Sequence, residues 1–218
     1  MDTPAQTTCI EPRWPVAITT LAVLGLLIAL PWRIRVYPIW VPYIGVIALM
    51  IPMAAVTFAS RRSGWLRIER TITLLFCAIA ETATLVALAR LLGAMVRGSR
   101  EISGNQVLTS SVATWVMNVL TFSLLYWQID RGGPSSRANN PNQDWLFPQE
   151  EIGDTLDRKW RATFVDYLYL AYSTATAFST TDVSPLTSRA KLLMMLESAI
   201  SLVTTVAVAA RAINILGT

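Results

Sequence analysis

Apolar runs long enough to cross a lipid bilayer recur along this chain, and they constrain its fold more than any other feature. A helix needs about 20 residues to cross ~30 Å of hydrocarbon, and a segment in lipid must pair its backbone amides internally. Five runs answer to this description: Pro15–Pro31, Val41–Ser60, Thr71–Val96, Val107–Trp127 and Ala190–Leu216. Arginine, Trp and Tyr gather at their ends as interfacial anchors. A chain with 53% hydrophobic and 15% charged residues is far from the balance of a soluble domain. The expected fold class is an all-α integral membrane protein of about five transmembrane helices, with the bilayer as its first partner.

The first run is preceded by Asp2 and Glu11, not by a basic stretch, and no small-residue cleavage site follows it, so it is expected to be retained. Cys9 precedes the first run and Cys77 lies inside the third, at depths that do not suit a disulfide. The net charge of +4 comes from arginines placed singly or in pairs beside apolar runs, which argues for membrane flanks and against nucleic acid. The third run lacks the Arg at every third position that a voltage sensor carries.

Between the fourth and last runs lies the one substantial polar segment, Ile129 to Arg161, opened by Asp130-Arg131-Gly132-Gly133-Pro134. Its second half sets Glu150, Glu151, Asp154 and Asp157 ahead of Arg158-Lys159-Trp160-Arg161. That pattern suits a solvated helix start with a basic anchor, or a mouth that concentrates cations. The stretch Phe164 to Phe178 is apolar and aromatic but too short to cross before the polar Ser179-Thr180-Thr181-Asp182. It reads as a half-helix that enters and turns back, which is tolerated at membrane depth where it is packed in protein or lines a cavity.

Residues Thr174-Ala175-Thr176-Ala177-Phe178-Ser179-Thr180-Thr181-Asp182-Val183-Ser184-Pro185 resemble the signature of tetrameric potassium channels, Thr-x-x-Thr-Val-Gly-Tyr-Gly-Asp-x-x-Pro. Thr174, Asp182 and Pro185 stand at that family's spacing, Thr176 stands one residue before the place of its second Thr, Thr187 and the basic Arg189 and Lys191 follow as in the family, and the resemblance covers Phe164 to Leu216. It implies two regions, residues 1–106 with three spans and residues 107–218 as outer helix, polar loop, pore half-helix, filter-like turn and inner helix. One pore loop per chain then implies a homotetramer around monovalent cations. The family's Val-Gly-Tyr-Gly is replaced by Phe178-Ser179-Thr180-Thr181, which contains no glycine. Without glycine, a ladder of inward carbonyls carries a steric cost, so the resemblance implies a weakly selective cation path or a pore that no longer conducts.

In the last run Glu197, Ser201, Thr204, Val208 and Arg211 recur at intervals of four, three, four and three, which places them on one helix face. Such a stripe lines a pore or forms a helix–helix contact. Glu81 stands mid-span in the third run, and Arg90, nine residues on, falls on the opposite face at ~100° per residue. Glu81 is therefore expected to face protein or water and to find a partner on another helix, as a neutral structural acid or as a proton-linked or gating group.

Two orientation cues oppose one another. A filter facing outward puts the link containing Arg61, Arg62, Arg67 and Arg70 outside, whereas the excess of arginine there favours the inside. The expected function is an oligomeric cation pore; the alternative is a non-conducting scaffold or partner subunit that keeps a channel-like fold. An enzyme is disfavoured by the lack of His, of a Cys pair at metal-ligand spacing, of G-x-S-x-G and of an inverted repeat. No metal or cofactor is expected, nor a nucleotide-binding glycine loop. The simplest location is a prokaryotic plasma membrane, crossed several times.

Overall fold

The computed structural model describes residues 14–30, 35, 37–38, 40–41, 43–45, 47–49, 51, 63–96, 104–134, 136–137, 140–151, 160–178 and 182–216. Its long elements are α1 (Trp14–Ala29), α2 (Ser63–Val96), α3 (Gly104–Ile129), α4 (Phe164–Ala177) and α5 (Ser188–Leu216). Three windows are long and apolar enough to cross a membrane: Arg67–Gly93, Asn105–Gly132 and Ser188–Ala210, in α2, α3 and α5.

The expectation of five spans is met only in part. Helix α1 is apolar but holds 16 residues, about 24 Å of rise, which is short of the hydrocarbon thickness. The run Val41–Ser60 lies largely outside the described residues, and its described positions up to Ile51 are helical.

Helix α3 is the centre of the bundle, with α1, α2, α4 and α5 all packed on it. Its apolar window is 61% buried, against 33% for that of α5, so α3 forms the core and α5 keeps most of its surface outward. Ser110, Ser111, Thr114, Asn118, Thr121 and Ser123 are buried along α3. Short side chains let neighbouring backbones approach, which is what drives packing where lipid is as apolar as leucine. The hydroxyls of Ser111 and Thr114 donate back to the carbonyls of Val107 and Ser110, so they need no outside partner.

After α3 the chain turns sharply through a 3-10 turn at Asp130–Gly132. Arg131, Gly132 and Gly133 all take positive φ, and a methyl at Gly133 would sit 3.0 Å from the Gln128 carbonyl oxygen. The polar segment that follows is anchored in the protein: Asp144 and Trp145 are fully buried and Phe147 is 3% exposed. Strand β1 (Trp145–Leu146) pairs antiparallel with β2 (Ser184–Pro185), with Trp145 opposite Pro185 and Leu146 opposite Ser184. A turn of helix at Pro148–Glu151 brings Glu150 to Arg131, at 2.5 Å. Burial holds the Glu150 carboxyl above its ordinary range, although the Arg131 guanidinium pulls the other way. Asp154, Asp157, Arg158 and Lys159 lie outside the described residues.

Helix α4 starts at a capping box in which the Asp166 carboxylate accepts from the Thr163 amide at 2.7 Å and hydroxyl at 2.8 Å. It buries Phe164, Tyr167, Leu170, Ala171, Thr174 and Ala175 and leaves Val165, Tyr169 and Tyr172 exposed. Phe178 ends it with φ of 55°, an unusual conformation for a bulky residue, while its amide still donates to the Thr174 carbonyl at 3.1 Å. Helix α5 runs antiparallel to α3: Asn118 meets Ser201, and Tyr126, further along α3, meets Glu197, earlier in α5.

Candidate functional site

The residues singled out in the sequence fall into three places. At the mouth of the bundle, where α3 ends and both α4 and α5 begin, two buried aspartates tie three segments together. Asp130 accepts from the Tyr167 hydroxyl of α4 at 2.5 Å and, through its other oxygen, from the Asp144 amide at 2.8 Å. Asp144 in turn accepts from the Thr187 hydroxyl at 2.6 Å and from two guanidinium nitrogens of Arg189 at 2.6 and 2.5 Å. A forked donor that matches both carboxylate oxygens fixes orientation as well as charge. Arg137 reinforces the knot by donating to the carbonyls of Trp127 and Ala162 and lying 4.8 Å over the Tyr167 ring.

The filter-like residues follow on α4. Thr174 is buried and its hydroxyl has no hydrogen-bond partner among the described residues, while its carbonyl accepts from Ser198 of α5 at 3.4 Å. Thr176 is exposed and donates back to the Tyr172 carbonyl at 2.7 Å; Ala177 and Phe178 are also exposed. Ser179, Thr180 and Thr181 lie outside the described residues. Asp182 is exposed and accepts from the Tyr169 hydroxyl at 3.2 Å, beside a recess of about 50 Å³ that Asp166 also lines.

The polar stripe of the last helix meets α3. Glu197, Ser201 and Thr204 are fully buried. The Tyr126 hydroxyl donates to Glu197 at 2.5 Å, and the Asn118 amide donates to the Ser201 hydroxyl at 2.8 Å and the Glu197 carbonyl at 3.2 Å. Of the two readings open for this stripe, these bonds describe a helix–helix contact within one chain. Arg211 is helical, and its side chain lies outside the described set.

Glu81 is 9% exposed on α2, and neither of its carboxylate oxygens has a hydrogen-bond partner among the described residues. The partner expected for it on another helix is thus not found among the described residues. Arg90 turns away and donates to the Arg35 carbonyl at 2.8 Å.

Sequence reasoning gave Asp130 no role beyond a turn and overlooked Asn118, Tyr126, Asp144 and Trp145. Asn118 carried a usable signal, because an amide in the middle of an apolar run seeks a partner across helices. No family model, curated protein or solved structure matches the chain.

Proposed function

We propose that the chain is one subunit of an oligomeric, channel-like cation pore in which α3, α4 and α5 are the outer, re-entrant and inner helices. The single observation that carries this reading is the knot at the mouth. Asp130 holds Tyr167 near the start of α4, and Asp144 holds Arg189 near the start of α5, at one end of α3. Helix α4 has 14 residues, about 21 Å, so between those two anchors the chain goes partway in and comes back without crossing. The bond from Tyr169 to Asp182 fits the same return path, since Asp182 sits beside the first half of a helix that ends at Phe178. An exposed Asp182 next to Asp166 at this mouth attracts cations.

A second reading, a scaffold subunit that does not conduct, has its own support. The polar stripe of α5 is consumed against α3, and the outward face carries Leu192, Met195, Leu202, Val203 and Val206. A path lined by that face resists wetting.

Cation flux into liposomes separates the two. Purified wild type is expected to pass potassium or sodium, and Asp182→Ala to change the rate severalfold without loss of folded oligomer. Absence of any flux from folded, oligomeric protein would remove the pore reading and leave the scaffold.

A further inference from the structure

We propose that the groove between the C-terminal ends of α2 and α5 seats a phospholipid, with an acyl chain lying in the groove and the phosphate level with Arg211. The proposal goes beyond the pore and scaffold readings and rests on neither.

The groove arises because α2 and α5 both pack on α3 and touch each other over a short stretch only. Leu92 and Met95 of α2 form one wall. On α5 the buried Ala207 forms the floor, and Leu202, Val203 and Val206, between 40% and 58% exposed, form the opposite rim. Alanine at 207 and again at 210 is what leaves the space open. The lining offers no hydroxyl, amide or charge, so it cannot hold a water or an ion.

Depth narrows the occupant to what a bilayer contains. The windows able to cross a membrane end at Gly93 on α2 and at Ala210 on α5, both beside the groove. Leu202 to Ala210 thus lies just inside the hydrocarbon, and Arg211 is the first residue of α5 beyond it.

Size then separates a lipid tail from another helix. From Leu202 to Ala210 the helix rises about 12 Å, so a volume of about 380 Å³ corresponds to a mean cross-section of roughly 30 Å². A helix about 10 Å across occupies roughly 80 Å². A second copy of this chain can lie across the rim but cannot enter, whereas a single hydrocarbon chain is narrow enough to do so. Left unfilled, the groove would deprive Leu92 and Ala207 of dispersion contacts on one side, and packing is what holds groups together where lipid is as apolar as leucine. The flexible Met95 side chain adapts the wall to a tail of variable bend.

Charge places the headgroup. A tail seated beside Val206 and Ala207 hangs from a phosphate at the level where α5 leaves the hydrocarbon, and Arg211 stands at that level. A cationic residue there suits an anionic headgroup. The seated lipid bridges two helices that otherwise meet through α3.

The test is native mass spectrometry of the full chain in detergent micelles titrated with dioleoyl phosphatidylglycerol. Detergent displaces lipids that only surround a protein, so a seated lipid shows as a fixed stoichiometry. The wild type is expected to retain a single lipid per chain. Ala210→Phe and Val206→Trp, which fill the groove from exposed positions, are each expected to weaken retention about tenfold. Arg211→Gln is expected to weaken it about fivefold, and Ile79→Phe, exposed elsewhere on α2, to leave it unchanged. A wild type that retains no lipid, or retention that both groove-filling variants leave at the wild-type level, overturns the proposal. Unchanged retention in Arg211→Gln overturns the placement of the phosphate. A disulfide between two copies of Val206→Cys, formed in membranes in a background without Cys9 and Cys77, puts a second copy over the groove and overturns the proposal as well. The wild-type stoichiometry is decisive even where a variant does not fold.

Discussion

Arg189→Ala is expected to lower folding stability by about 3 kcal/mol, and Asp144→Ala by only about 1–2 kcal/mol. The asymmetry follows from where the two partners stand. Asp144 is fully buried while the Arg189 side chain is 57% exposed. Removing the arginine strands a buried carboxylate next to a second one, Asp130, with the Thr187 hydroxyl as its remaining side-chain donor. Removing the aspartate frees a guanidinium that can turn to water. The first loss is placed at the low end of the range for breaking a buried pair, because a half-exposed arginine is already partly screened. Unfolding in nanodiscs measures both; equal losses, or a larger loss for Asp144→Ala, would show that Arg189 does not hold Asp144 in place.

Trp145→Ala is expected to cost about 3–5 kcal/mol, as for a large aromatic side chain emptied from a core that relaxes incompletely. Trp145 is fully buried, its ring centroid lies 4.7 Å from that of Tyr126, and its indole N–H donates to the Met194 sulfur at 3.3 Å. It joins the polar segment to both α3 and α5. The same substitution therefore loosens Tyr126, whose hydroxyl reaches Glu197. A small loss would mean that the segment from Asp130 to Leu146 sits on the bundle without contributing to it.

Much of the bundle was legible in the sequence, for a physical reason. The three helices long and apolar enough to cross a membrane, α2, α3 and α5, are read from length and apolarity, the two properties a bilayer demands. The face of α5 bearing Glu197, Ser201 and Thr204 is read from spacing, since helical geometry alone puts those residues together. What spacing does not reveal is the helix that such a face meets, and here it meets Asn118 and Tyr126 of α3. The mouth was illegible for another reason. Asp130, Asp144, Tyr167 and Arg189 come from four segments without a common period, and a polar loop reads as solvated until its buried anchors are seen. Glu81 stands out in the sequence as an acid within an apolar run, and the structure buries it with neither carboxylate oxygen hydrogen-bonded among the described residues, an arrangement that has no one-dimensional signature.

Pore and scaffold alike require that α4 turn back, so that its two flanks share one side of the membrane. Single cysteines at Arg161→Cys, before α4, and Ser184→Cys, after it, test this in a background without Cys9 and Cys77, with Asn105→Cys at the far end of α3 as control. All three native positions are exposed. Labelling of sealed vesicles of known orientation with an impermeant thiol reagent is expected to reach Arg161→Cys and Ser184→Cys from the same side and Asn105→Cys from the other. Labelling of Arg161→Cys and Ser184→Cys from opposite sides would mean that α4 crosses the membrane, and the channel-like reading would be wrong.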